Sequence, residues 1–168
     1  MVEDSHTVLS VYIESTIPSF IVGETSPVIV SAARQITTRR WWNDNRFGYR
    51  LFISRLVRQE IARGKTNLAQ ERLALVASLP QLLITDAVLE FADELHSQPG
   101  LTEVPEQDAV HLAVASYYRM DYLLTWNLTH IANAQTWRAI ERFRARWGTY
   151  FPTICTPDEL MGLEAEHE

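Results

Sequence analysis

Cysteine is nearly absent from this chain of 168 residues, with Cys155 the single example. That excludes an internal disulfide, so a buried core has to carry the stability. Lysine is as scarce, with Lys65 alone among 15 basic side chains. Positive charge is therefore almost entirely guanidinium, which pairs bidentately with phosphate or carboxylate. The 6 glycines and 7 prolines are scattered, and no Gly/Ser/Pro-rich linker, repeat or low-complexity tract divides the chain. No apolar run reaches the roughly 18 residues of a membrane span, and no basic leader with an apolar stretch opens the sequence. Phosphate-binding signatures are missing as well: neither a GxxxxGK[ST] nor a GxGxxG run occurs, nor a DxD at the first apolar segment.

What is present is 46% hydrophobic residues, enough for one core. The expectation is a single domain over 1–168, soluble, without a membrane segment and cytoplasmic. The net charge of −6 argues against a uniformly basic nucleic-acid binder, yet it is unevenly spread. Arg34 to Arg72 holds ten basic residues against three acids, whereas Asp86 to Asp121 holds eight acids against one base. The first region fits either solvated, salt-bridged helix faces or a phosphate-facing surface.

Strand and helix patterns alternate along the chain. The segments "TVLSVYI", "YRLFIS", "QLLIT", "DYLLTW" and "PTIC" read as strands, apolar through their length. Between them lie helical patterns. Ser26 and Pro27 would open the first helix, Ser54 would cap the second and Gly64 close it, Pro105 would start another, and Thr156 with Glu159 has capping-box spacing. Five short strands alternating with helices predict an α/β fold, a three-layer α/β/α sandwich on a mostly parallel sheet. In such folds ligands sit outside the C-terminal strand ends, where strand order reverses.

Charged and polar residues fall at that edge. Glu14 closes the first strand and Asn127 follows the fourth, in "LLTWN". Glu60 lies at i+3 and i+4 from Val57 and Leu56, beside the apolar face of its helix, and Asp108 lies in the first turn of the Pro105 helix. Taken singly, these are an exposed strand end, a snorkelling side chain and a helix-terminus stabiliser. Gathered in one crevice, the carboxylates would repel one another unless a cation neutralised them, and oxygen-only ligands suit Mg²⁺ or Mn²⁺.

The succession "YIESTIPS", "LVRQEI", "DAVHLAVA", "LLTWN" and "ICTPDEL", in this order and spacing from Val8 to Leu160, resembles the PIN domain and in particular the VapC-like ribonuclease toxins of type II toxin–antitoxin systems. The resemblance implies a fold that collects acids at one pocket, binds Mg²⁺ or Mn²⁺ and hydrolyses RNA. By position it assigns Glu14, Glu60 and Asp108 as metal ligands and catalytic acids. Thr125 and Asn127 correspond to the Thr-x-Asp after the fourth strand, and Ser15 to the hydroxyl beside the first acid. Two positions depart from the pattern: Glu14 is longer by a methylene than the aspartate expected, and Asn127 replaces a carboxylate. The loss of charge at Asn127 favours one tightly held ion, a second arriving only with the substrate phosphate.

Substrate contacts are expected from Ser15, from Arg39 and Arg40 in "TRRWWNDNR", and from His111, one turn after Asp108. Trp41 and Trp42 can equally pack internally or against a second subunit, and His111 can be a packed, hydrogen-bonded histidine. The run Arg138, Arg142, Arg144, Arg146 reads as a solvated face or a shallow RNA path. An RNA substrate, an antitoxin partner and a homodimer follow from the resemblance. The rivals are a PIN-like RNA-binding or protein-interaction module that has lost cleavage and a small-molecule hydrolase or phosphotransferase. The latter is disfavoured by the missing phosphate-binding motifs.

Overall fold

The computed structural model describes residues 8–161. Thr7, the start of the first strand on the sequence reading, lies outside them, as do the outermost parts of the 1–168 domain. The strands are β1 (Ser10–Ile13), β2 (Arg50–Ser54), β3 (Gln81–Leu82), β4 (Tyr122–Leu124) and β5 (Thr153–Cys155). The helices are α1 (Thr16–Ile21), α2 (Ile29–Arg40), α3 (Arg55–Ile61), α4 (Thr66–Leu75), α5 (Asp86–His96), α6 (Glu106–Tyr117), α7 (Ala134–Trp147) and α8 (Pro157–Met161).

The five strands form one sheet in the order β3-β2-β1-β4-β5, with every neighbouring pair parallel. Right-handed crossovers place α1 to α4 on one face and α5 to α7 on the other, giving the three-layer α/β/α sandwich expected. All of β1 is buried, and Val11, Ile13, Ile53, Leu123 and Leu124 are fully so, which is why these strands read as continuous apolar runs. Strand order reverses at β1, between β2 and β4, and the C-terminal ends of β1 and β4 lie side by side, with Ile13 opposite Leu124.

Local signals held where backbone geometry demanded them. Ser54 accepts from Val57 N at 3.4 Å and caps α3, and Gly64, at φ 92°, turns the chain between α3 and α4. Thr156 N donates to Glu159 Oε2 at 2.9 Å, half of the expected capping box, while the Thr156 hydroxyl turns to Asp158 and Glu159. The first long helix differs: α2 begins at Ile29, because the Ser26 hydroxyl is used two residues on, accepting from Val28 N at 3.1 Å. The "QLLIT" strand contracts to two residues at a sheet edge, where only one neighbour supplies hydrogen bonds. Helix α1 was not anticipated. Its Pro18 falls in the first turn, where a missing N–H costs nothing, so proline does not forbid the helix. After α2 the chain passes through a π turn, Trp41–Asn45, that buries Trp41 and Trp42 in the core, so packing is the role these rings occupy.

The β1–β4 pairing that brings Glu14 to Thr125 is pinned at its opposite end. Asp121 Oδ2 accepts from Ser10 N and Ser10 Oγ, each at 2.7 Å, and Asp121 N donates to Ser10 Oγ at 3.0 Å. The Ser10 backbone bond, opposed by partial burial and aided by the Ser10 hydroxyl and Arg50, holds the Asp121 carboxyl below its ordinary 3.8. A depressed acid stabilises the fold above that ordinary value, and the contribution is lost as pH falls through the lower folded value. Asp121→Ala is expected to cost about 1 kcal/mol in urea unfolding at neutral pH. The gap from wild type should close as the acid arm is scanned below 3.8.

Candidate active site

Glu14 follows the last residue of β1 and is only 2% exposed. Its N–H donates to Leu124 O at 3.1 Å, which sets it at the end of the β1–β4 ladder. A carboxylate buried to that degree needs strong donors. It has four: Ser15 Oγ at 2.7 Å on Oε1, and on Oε2 Thr16 N at 3.0 Å, Thr16 Oγ1 at 2.5 Å and Thr125 Oγ1 at 2.8 Å. Thr16 N is one of the amides left unpaired at the start of α1. The hydroxyls after Glu14 in "ESTIP" are therefore the solvation shell of the charge that ends a buried strand.

Thr125 and Thr16 carry that shell across the switch point. Thr125 is fully buried, its N–H donates to Cys155 O at 3.0 Å, and its hydroxyl accepts from Asn127 N at 2.9 Å while donating to Glu14. Thr16 Oγ1 likewise accepts from Trp126 N at 2.8 Å. The ends of β1, β4 and β5 are thus tied to one carboxylate.

A second chain of contacts enters from the other side of β1. Glu60 Oε2 lies 2.9 Å from His111 Nε2, His111 Nδ1 lies 2.8 Å from Tyr12 Oη, and Tyr12 Oη lies 2.8 Å from Ser54 Oγ. His111 and Tyr12 are fully buried. Burial alone would lower the imidazole pKa, but the Glu60 hydrogen bond and the charges of Glu14, Glu60 and Asp108 outweigh it and hold His111 above 6.5. Burial alone would raise Glu60, yet the His111 bond and charge, with Ser15 and Arg63, bring its carboxyl below 4.5. Both directions describe an ion pair. Burial raises the Tyr12 phenol far above its usual value, so it serves as a neutral hydrogen-bonding group.

Asp108 stands next to this pair. Its Oδ2 is 3.1 Å from His130 Nδ1. Burial raises its carboxyl above 3.8, opposed by the Asn127 side chain and by His111, with the Glu14 charge adding to the rise and His130 opposing it. Asn127 Oδ1 accepts from His130 N at 3.1 Å, so the amide oxygen closes its own turn and the group works on Asp108.

Of the expected site residues, Glu14, Ser15, Glu60, Asp108, His111, Thr125 and Asn127 come to one edge. The trio whose ligand atoms lie within 4.8 Å of one another is Glu14, Glu60 and His111. The sequence reading expected Glu14, Glu60 and Asp108 as metal ligands; the third member of this tightest trio is His111, while Asp108, one turn earlier on α6, lies against His130. Arg39 is committed elsewhere, donating to Ile21 O at 2.9 Å, Gly23 O at 2.6 Å and Thr25 Oγ1 at 3.3 Å, which locks the loop after α1. Arg40 is exposed at the end of α2. Tyr12 and Thr16, and the contact of the capping Ser54 with Tyr12, were not anticipated as parts of the site. The usable signal was a tyrosine inside a buried strand two residues before the acid, since a buried phenol normally finds a partner.

The parallel five-stranded sheet in this order agrees with the PIN-like, VapC-like fold expected from the sequence. The chain is similar to the crystal structure of VapBC2 from Rickettsia felis bound to a DNA fragment from their promoter, with a TM-score of 0.53 at 11% identity, covering 88% of this chain and 98% of the matched one. No family model matches the chain and no curated protein matches its sequence.

The carboxylates of Glu14 and Glu60 converge beside His111 and could hold a divalent cation, and Glu14 Oε1 accepts only one hydrogen bond among the described residues. Thr125→Val should destabilise the fold by about 1–3 kcal/mol by stripping a donor from buried Glu14, measured by guanidinium unfolding in EDTA. Thr125→Ser, which keeps the donor, should recover most of that loss.

Proposed function

We propose that this protein is a divalent-metal-dependent endoribonuclease of the VapC type, the toxin of a toxin–antitoxin pair. The observation that carries the reading is the convergence of Glu14, Glu60 and His111 at the strand-order reversal of a VapC-like sheet, with Asp108 alongside.

Glu14 and Glu60 would hold a Mg²⁺ or Mn²⁺ ion, joined through water by Asp108, while His111, its ring nitrogens engaged by Glu60 and Tyr12, would brace Glu60. When bound, the cation supplies Lewis acidity at the phosphoryl group and lets water act as a nucleophile near neutral pH. The chain's own residues do the rest. His111, anchored by Tyr12, keeps Glu60 ionised and oriented, so that Glu60 takes a proton from the attacking water. Asp108, whose Oδ2 lies 3.1 Å from His130 Nδ1, would supply a proton to the leaving oxygen. Thr125 and Ser15 fix the Glu14 carboxylate, and Asn127 holds Asp108. Arg40 and Ser15 would touch the RNA phosphates. An antitoxin partner, a homodimer and a cytoplasmic setting belong to the same reading. Among the described residues no helix is long and apolar enough to cross a membrane.

A second reading, an RNA-binding or protein-interaction module that does not cleave, draws on Asn127, which removes one negative charge from the edge. Cleavage of a labelled RNA in Mg²⁺ or Mn²⁺ decides between them. Wild type should cut and stop on adding EDTA, and Glu60→Gln and Asp108→Asn should each lower kcat by about a hundredfold or more. Calorimetric Mn²⁺ binding should weaken in Glu14→Gln. A protein that is inert with and without these substitutions is the module.

A further inference from the structure

Helix α7 leads away from the candidate site. Asn127 O accepts from Ile131 N at 3.1 Å and Ala132 N at 2.8 Å, and Asn133 caps the helix, so α7 starts beside the catalytic edge. Its 14 residues span about 21 Å to the opposite side of the sheet. Ala139, Ile140 and Phe143 face the core, while Arg138, Arg142 and Arg146 are exposed and repeat every fourth residue, on steps of about 6 Å. That step is comparable to the spacing of successive phosphates on an extended nucleic-acid strand. None of the three makes a salt bridge among the described residues, though Arg142 donates one bond to Pro99 O at 3.2 Å, whereas Arg144, on another face, is engaged by Glu141 at 3.6 Å.

The stripe ends at an aromatic cleft. A cavity of about 550 Å³ is bordered by Phe91, Ser116, Tyr117, Arg119, Trp147 and Tyr150. Trp147 is 55% exposed and Tyr117 49%. Guanidinium groups lie on the rings: Arg146 at 5.0 Å from the Trp147 centroid and Arg119 at 4.7 Å from that of Tyr150. Ser116 is 3% exposed, and its hydroxyl has no hydrogen-bond partner among the described residues. A buried hydroxyl without a partner is costly, and one that borders a cleft can serve a ligand.

We propose that the exposed face of α7 and the cleft at its C-terminal end form a secondary binding surface for single-stranded RNA, with Arg138, Arg142 and Arg146 on the phosphates and an unpaired base stacked at Trp147. Exposed rings flanked by guanidinium groups match a planar base attached to a phosphate; an apolar protein helix would meet charge at every step. The Ser116 hydroxyl supplies a hydrogen bond to the base edge. The inference rests on the RNA reading of the catalytic edge and adds where the flanking strand lies.

The test is fluorescence anisotropy of a labelled oligouridylate with the full-length protein in EDTA, where binding is read without cleavage. Trp147→Ala should weaken binding about tenfold, and Trp147→Phe should restore most of it. Arg142→Glu combined with Arg146→Glu should weaken binding further and reduce the slope of log K against log salt by about 0.7 for each phosphate no longer neutralised. With Mg²⁺ or Mn²⁺ present, these variants should raise KM for long RNA and leave kcat for a short RNA unchanged. Circular dichroism confirms that each is folded, and the arginine pair, at the surface, stands in should Trp147→Ala fail. Wild-type affinity and salt slope retained in folded variants overturn the proposal while leaving the nuclease reading intact. No RNA binding and no cleavage by wild type overturns both. Unchanged RNA affinity with a changed mass by light scattering assigns the surface to a protein contact, which also overturns the proposal.

Discussion

A carboxylate buried at the end of the central strand organises this molecule. Glu14 cannot lose its water without replacement donors, and the nearest ones come from three directions: its own next residues, the first amide of α1, and Thr125 beyond β4. Each donor is itself fixed, Thr125 by Cys155 and Asn127, Thr16 by Trp126. The need to solvate one charge thereby sets the relative positions of β1, β4 and β5 at the edge where chemistry is proposed. Asp121 and Ser10 do the corresponding work at the other end, so the β1–β4 pair is pinned twice.

The second constraint is the buried histidine. His111 satisfies both ring nitrogens, one on the Tyr12 phenol and one on Glu60, and against burial the Glu60 bond and three neighbouring carboxylates raise its pKa. The surroundings separate the two acids. Burial would raise the Glu60 carboxyl but the His111 contact lowers it, whereas burial raises that of Asp108. The two carboxyl groups are shifted in opposite directions, and the opposition comes from their surroundings. Asn127 fits this division, since an amide beside Asp108 steadies it without adding repulsion.

Much of this was legible in residue order. The apolar strands, the alternation with helices, Ser54 as a helix cap, and the placement of Glu14 and Asn127 at strand termini follow from local rules that depend on neighbours a few positions away. Helix α1 was hidden because six residues containing Pro18 give no periodicity to read. The fate of Arg39 was equally hidden. Its basic, aromatic setting matched nucleic-acid contact, but the loop after α1 presents two carbonyls that only a long donor could reach, and Arg39 closes them.

Sequence by itself determined the class of fold, the direction of the sheet and the set of polar residues delivered to one edge, because hydrophobic period and strand-end position are local properties. Tertiary structure alone decided which of those residues meet. His111 and Asp108 are one helical turn apart on α6, and the pattern cannot say which turns toward β1 and which toward the β4 loop. That choice is made by Tyr12, which sits 99 positions from His111 and 42 from Ser54 along the chain, and it replaces Asp108 with an imidazole in the tightest cluster. Partners so far apart in the chain leave no periodic trace, and only the packed sheet brings them within hydrogen-bonding distance.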